Sequence, residues 1–238
     1  MVKIVDFKKA SFRKILIDVL CGEVVILKEV VDPGLIRQAV LACHQWAQIT
    51  KESMEHPNEM GGATHFKSFL PARSESRYIL HDYYFAPSPT LSPKLQVVVS
   101  IFDELVDVYG RLFNQHLSYG ENYDGCMLAP QAIQYPRGGG FFAEHFHSIK
   151  PQKIGLVLAG SEYGKDYFLG GGRFRSPDGS WVSTEGQHQI GDISLFRFDI
   201  GHDITPCDPE FDIDWNRPDG RWTFVLPLKP IPPLKLNS

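Results

Sequence analysis

The sequence predicts an α+β protein: an antiparallel double sheet of jelly-roll type with helices packed on one face. Three observations lead there. The first half holds stretches whose apolar side chains recur at helical spacing. From Leu128 onward, short apolar runs alternate with Gly and Pro clusters, the pattern of many short strands. A chain of 238 residues that is 43% hydrophobic and 22% charged can bury one large core and does not have the composition of a disordered segment.

Taken in order, Ser11 reads as the cap of a helix over 12–20, with Phe12, Ile15, Leu16, Val19 and Leu20 on one face and Gly22 after its end. A short β-type run follows at 24–27. Asp32 and Pro33 read as cap and first residue of a second helix to about Gln48, its buried side supplied by Leu35, Val40, Leu41 and Trp46. Residues 51–76 are polar, contain Gly61-Gly62, Pro57 and Pro71, and read as a long loop. The aromatic run 78–85 reads as a strand, and 91–116 as a third helix. Strand-like runs then fall at 132–135, 141–147, 154–158, 167–169, 193–198, 202–206 and 222–228. The Pro-rich end, 229–238, reads as an extended tail. No repeat or linker divides the chain, so a single domain over 1–238 is expected.

Several functions are disfavoured at once. The formal net charge is −4 with no Lys/Arg block, which speaks against nucleic acid as a partner. No apolar run approaches the ~18–20 residues of a membrane helix, and the first residues lack a signal-peptide core. Cys21, Cys43, Cys126 and Cys207 are scattered, which fits a reducing, cytoplasmic setting better than a disulfide scaffold or a thiolate zinc site. A small-molecule enzyme or binder remains.

The chemistry-bearing signal is histidine. His145 and His147 are two apart, and on a strand such a pair shares one face. His202 follows Gly201 after a distant strand-like run and is a third candidate. Two imidazoles from one strand and one from another would leave half of an octahedron open for substrate or cofactor. Solvent-facing histidines on an edge strand explain the pair equally well. His44, His56, His116 and His188 lack such partners and read as surface or structural, whereas His65 and His81 lie in an aromatic, Arg-containing stretch.

The surroundings extend the pattern. Tyr135, a turn at Gly138-Gly139-Gly140 and then His145 are followed by Asp166-Tyr167 and Gly170-Gly171-Gly172. Gly201-His202 and Arg221-Trp222-Thr223 come last. In this order and spacing the segments resemble the double-stranded β-helix of Fe(II)- and 2-oxoglutarate-dependent oxygenases, of the prolyl- or phytanoyl-hydroxylase kind, over residues 128–228. The resemblance implies a cupin-like core at 128–228 preceded by a helix-rich part, 1–127, with 51–76 as a substrate-side loop. It implies Fe(II) on His145 and His202, and 2-oxoglutarate held at its far carboxylate by Arg221 and Thr223 with Tyr135 nearby. O2 and a small-molecule substrate complete the reaction, and residue type alone suggests an anionic or zwitterionic one, such as an amino-acid derivative. Arg73, Arg77, His81, Tyr83, Asp166 and Tyr167 are expected substrate contacts from residue type alone.

One departure stands out. Where the family places a carboxylate ligand, this chain has His147, and Glu144 should face the other side of the strand. Three neutral imidazoles leave the site one charge more positive than two imidazoles and a carboxylate. A histidine does not free the position that halogenating relatives open for chloride. Two alternatives stay open: a three-histidine metalloenzyme without 2-oxoglutarate, either a dioxygenase or a zinc hydrolase, and a non-catalytic β-barrel binder.

Overall fold

The computed structural model describes residues 2–55, 57, 61–71, 76–88, 91–114 and 116–230. In chain order it contains β1 (Val2–Asp6), α1 (Phe12–Leu20), β2 (Val24–Lys28), α2 (Pro33–Ile49), β3 (Ala63–Phe69), β4 (Tyr78–Phe85) and α3 (Gln96–Phe113). The second half is all strand: β5 (Cys126–Leu128), β6 (Gln131–Tyr135), β7 (Gly140–His145), β8 (Ile154–Ala159), β9 (Gly172–Arg175), β10 (Trp181–Ser183), β11 (Ile193–Arg197), β12 (His202–Cys207), β13 (Arg221–Val225) and β14 (Leu228–Pro230). Among the described residues, no helix is long and apolar enough to cross a membrane.

Twelve strands form one sheet in the order β1-β2-β11-β8-β13-β6-β4-β7-β12-β9-β10, with β3 paired to β4, while β14 and β5 form a separate ladder. The sheet folds over on itself. Seven strand spacings separate β11 from β9, about 34 Å if flat, yet the Phe196 and Phe174 rings are 4.8 Å apart. One apolar cluster of Leu80, Ile133, Tyr135, Tyr167 and Cys207 fills the inside, and a second joins Val24, Phe174, Phe196 and Ile200. The largest cluster lies on the outside of the fold, where α1, α2 and α3 cover Val25, Leu27, Leu156, Leu158, Leu195, Trp222 and Phe224. This is a double-stranded β-helix with its helices on one sheet, the architecture expected from the sequence.

Local chemistry sets the helix boundaries. The Asp32 carboxylate accepts the Leu35 N–H at 3.0 Å, capping α2. The fully buried face of α2 is Ile36, Ala39, Cys43, His44 and Ala47; of the expected set, Leu35, Val40 and Trp46 pack partly buried against the same core, and Leu41 is exposed. Hydrophobic periodicity weights the larger side chains, whereas the small ones are what let the helix approach the sheet. The third helix begins five residues later than expected, after a 3-10 turn opened by Pro93, and ends at Asn114 in a left-handed conformation.

Other expectations are revised. Within 51–76, Ala63–Phe69 is a strand fully paired to β4, while 56, 58–60 and 72–75 lie outside the described residues. Its alternation is weak because both faces are covered or polar, so the pairing rather than the sequence defines it. Residues 167–169 form no strand beyond a single bridge of Tyr167 to Tyr163, and they are pinned where Asp208 accepts the N–H groups of Phe168 and Leu169 at 2.9 and 2.7 Å. Of the tail, Leu228–Pro230 is a strand, and 231–238 lies outside the described residues.

A buried polar chain runs between β4 and α2. The Tyr83 hydroxyl donates to His81 Nδ1 (2.9 Å), His81 Nε2 meets His65 Nδ1 (2.9 Å), and His65 Nε2 meets the Thr50 hydroxyl (3.0 Å). Thr50 in turn donates to the Trp46 carbonyl at 2.8 Å. Since that carbonyl can only accept, every donor points the same way and both imidazoles are neutral. Burial pushes the His81 pKa down to about 2 and that of His188 down to about 3. The unfolded chain takes up these protons near pH 6.5 while the folded chain refuses them, so stability falls as pH drops below 6.5. Burial raises the Asp82 carboxyl to about 6, which has the opposite sign and offsets one of the two imidazoles between pH 6 and 4. These three groups together give a loss of about 1.4 kcal/mol per pH unit over that range, and the buried His202, lowered to about 3, adds to the loss in the same direction. Urea unfolding of the chelator-treated protein at pH 7.5, 6, 5 and 4 measures it, and a midpoint that holds steady down to pH 4 contradicts it.

Candidate metal centre

The centre is built where β7 and β12 pair antiparallel, with His145 directly opposite His202. Their ring centroids are 4.2 Å apart, and His147 lies 5.0 and 5.2 Å from them. The side-chain nitrogens that could ligate all lie within 4.8 Å of one another. His147 sits two residues past the last paired residue of β7, yet its N–H still donates to the Phe198 carbonyl at 3.0 Å, which keeps it in line. Glu144 faces outward to Arg175, bonding Nε at 2.9 Å and Nη2 at 3.1 Å, as period-two alternation requires.

Tautomers follow from the hydrogen bonds. His145 Nδ1 lies 2.9 Å from the Ala143 carbonyl, and His202 Nδ1 lies 2.9 Å from the Ile200 carbonyl. A carbonyl accepts only, so each Nδ1 carries the proton and each Nε2 presents a lone pair. Burial, reinforced by the neighbouring imidazole, lowers His202 to about 3 and His147 to about 4, and burial lowers His145 as well. All three are therefore neutral at pH 7, the form that binds metal. Phe142 stacks on His145 at 4.0 Å, Phe196 lies 4.7 Å from His202 and Phe198 4.2 Å from His147, giving apolar walls.

Deeper inside stands Arg221. The tight turn before it places Gly220 at φ +107°, where an added Cβ would meet the Tyr135 carbonyl oxygen at 2.4 Å. Ser161 locks this turn, donating to the Gly220 carbonyl and accepting the Trp222 N–H. Arg221 is 4% exposed, pairs across the ladder with Tyr135 and lies 5.7 Å over its ring. Its Nη1 has no hydrogen-bond partner among the described residues. Tyr167 lies within hydrogen-bonding reach of Arg221, as Tyr135 does of Thr223. A buried guanidinium with an open donor and no carboxylate is a ready anion site.

The remaining expected contacts are scattered. His81 and Tyr83 sit on the α2 side of β4, because they alternate with the inward-facing Leu80. Arg77 is exposed, and Arg73 lies outside the described residues. Asp166 is turned to Arg37 and the Glu162 N–H. Tyr167 alone of this set is inside, beside Arg221 rather than at the metal-facing end. Residue type could not assign these faces, since that needs the strand partners. His188, read as surface or structural, is structural: it is buried within electrostatic reach of Arg221 and bonded to the Asp192 carbonyl, whereas sequence reasoning missed the inward-facing Asp82. No local motif marks either one.

No family model matches the chain, and no curated protein matches it in sequence. Solved structures do. A Pseudomonas putida prolyl-4-hydroxylase is 14% identical, with 92% of this chain and 99% of that one covered at a TM-score of 0.57. A Trichoplax adhaerens prolyl hydroxylase, solved with a peptide fragment of hypoxia inducible factor, is 11% identical over 90% and 89%, TM-score 0.52. A full-length Neurospora crassa protein, solved with α-ketoglutarate and 5-formyluracil, is 13% identical over 95% and 84%, TM-score 0.58. The fold is thus that of the Fe(II)- and 2-oxoglutarate-dependent oxygenases.

Titration calorimetry with Co(II) reads the donor set. His145→Ala and His202→Ala should each weaken binding about 100-fold or more, beyond the usual loss from removing a mere supporting contact. His147→Ala should weaken it measurably, and His147→Asp should match or exceed wild type because a carboxylate adds Coulomb attraction. Unaltered affinity in His147→Ala removes His147 from the site.

Proposed function

We propose that the protein is a non-haem iron oxygenase that uses 2-oxoglutarate to oxidise a small-molecule substrate. The observation that carries this reading is the pairing of the three-imidazole cluster with the anion-ready Arg221 inside one barrel. His145, His202 and His147 would hold Fe(II) through the nitrogens left free, and the donor set fits because all three rings are neutral. Arg221 Nη1 and the Thr223 hydroxyl, two residues apart on one strand face, would take the far carboxylate of the oxoacid. When bound, iron and 2-oxoglutarate supply the activation of O2 for C–H oxidation.

The protein's own part is to orient and to exclude. The Ala143 and Ile200 carbonyls fix two imidazoles in one rotation and tautomer. Tyr167 limits the swing of Arg221. Phe142, Phe196 and Phe198 keep bulk water from the metal face. The solved neighbours hold ligands as different as a peptide fragment and a modified base, so the fold leaves the substrate open. The aromatic rings packed against all three imidazoles favour a small one. The triple imidazole also supports a second reading, a three-histidine dioxygenase or zinc hydrolase that leaves Arg221 without an oxoacid.

Anaerobic titration of the Fe(II)-loaded protein with 2-oxoglutarate distinguishes the two. A chelated oxoacid gives a weak visible charge-transfer band, which should saturate in wild type. Arg221→Ala should raise the oxoacid Kd about 10- to 150-fold, the equivalent of 1.5–3 kcal/mol for a charge-assisted contact. No band in wild type, or equal Kd in both proteins, would favour the second reading.

A further inference from the structure

The segment that leads into Arg221 is held by its carbonyls. Residues 215–220 lie outside the strands, and each of their six carbonyls accepts a hydrogen bond from a side chain. Gln48 Nε2 donates to Trp215 at 3.4 Å and His44 Nε2 to Asn216 at 3.1 Å, both from α2. Gln134 Nε2 donates to Arg217 at 2.9 Å and to Asp219 at 3.1 Å, and Trp222 Nε1 donates to Pro218 between them at 2.7 Å. The Ser161 hydroxyl donates to Gly220 at 2.9 Å.

Among these donors Gln134 alone spans two carbonyls. It is fully buried and stands on β6 between Ile133 and Tyr135, which belong to the inner cluster, so its own side chain points to the α2 side and not into the barrel. Its ladder partner is Trp222, as Tyr135 is that of Arg221. The amide nitrogen serves the turn twice, while Oε1 has no hydrogen-bond partner among the described residues. For packing alone, an apolar side chain would suit a covered sheet face better than an amide with an orphaned oxygen. What an apolar side chain cannot do is pin the carbonyls on either side of Pro218, just ahead of Arg221. The direction of a side chain follows from its own main chain, so freedom in 217–220 becomes freedom of the guanidinium. An anchor that meets a carboxylate in fork geometry tolerates little of it.

We propose that Gln134 is a positioning residue for the oxoacid anchor: by bridging the carbonyls of 217 and 219 it fixes the direction in which Arg221 enters the barrel, and so sets the affinity for the oxoacid without touching it. The inference rests on the 2-oxoglutarate reading above.

The test is a double-mutant cycle on oxoacid binding. The Kd for 2-oxoglutarate is read from the visible band of the anaerobic Fe(II)-loaded protein in wild type, Gln134→Met, Arg221→Ala and the double variant, and the Kd for Co(II) by calorimetry on each. Methionine keeps the length of the side chain and removes both donors. Gln134→Met should raise the oxoacid Kd about 3- to 10-fold, less than Arg221→Ala does, because it acts only through that residue. In the Arg221→Ala background the same substitution should add nothing. The Co(II) Kd should stay within about twofold of wild type, since the metal centre does not depend on this turn. Gln134→Asn, one methylene shorter and able to reach only one of the two carbonyls, should fall between wild type and methionine, and it replaces Gln134→Met in the cycle if circular dichroism shows the methionine variant unfolded. Equal oxoacid Kd in wild type and a folded variant overturns the proposal, as does the same factor in both backgrounds. A parallel loss of Co(II) binding, or the failure of both variants to fold, shows a structural role only and overturns it as well. If wild type shows no band, the cofactor reading fails and takes this inference with it. If wild type binds the oxoacid and the variants bind it equally, only this inference fails.

Discussion

The antiparallel pairing of β7 with β12 is the constraint from which the site follows. It sets His202 against His145 in register, so that two imidazoles far apart in sequence meet with centroids 4.2 Å apart. A one-residue slip would turn one of them to the outer face. Several features hold the register. On the outer face, Arg173 grips Asp203 and Arg175 grips Glu144, the residues that flank His202 and His145. Gly201 allows this closeness, since a Cβ there would meet Glu144 Oε1 at 2.6 Å. Inside, the Phe196 and Phe174 rings close the fold across the cavity. The polar exterior thus fixes where the interior imidazoles stand.

Charge balance governs the cavity. Three neutral imidazoles bring no negative charge to a cation, and Arg221 adds a positive one with an open donor. An anionic co-ligand answers both needs at once, which is why the pair of features argues for an oxoacid more strongly than either alone. Burial contributes by keeping the imidazoles unprotonated, and the same burial makes the outer His65–His81 chain dependent on neutral pH. The price of an interior rich in neutral histidine is sensitivity to acid.

The sequence was most legible where local chemistry decides the outcome. The Asp32-Pro33 cap of α2, the aromatic strand β4 and the short runs of the second half, 167–169 excepted, lie where periodicity and turn residues put them. The His-x-His pair and the Gly-flanked His202 were visible because strand alternation is a local rule. What escaped depends on distant partners. β9 and β10 are short and lack an apolar alternation of their own. They are strands because Asp203, Glu144 and Trp181 engage Arg173 and Arg175. His81 and Tyr83 looked like pocket residues by type, yet the face of β4 they occupy is set by α2.

The central claim is that His147 stands as a third imidazole where a carboxylate is usual. X-ray absorption at the iron edge of the anaerobic Fe(II)-loaded protein tests it most directly, because the outer-shell scattering of imidazole counts the coordinated rings. The structure predicts a signal of three imidazoles in wild type, falling to two in His147→Ala. A wild-type signal of two imidazoles, the same in His147→Ala, would contradict it.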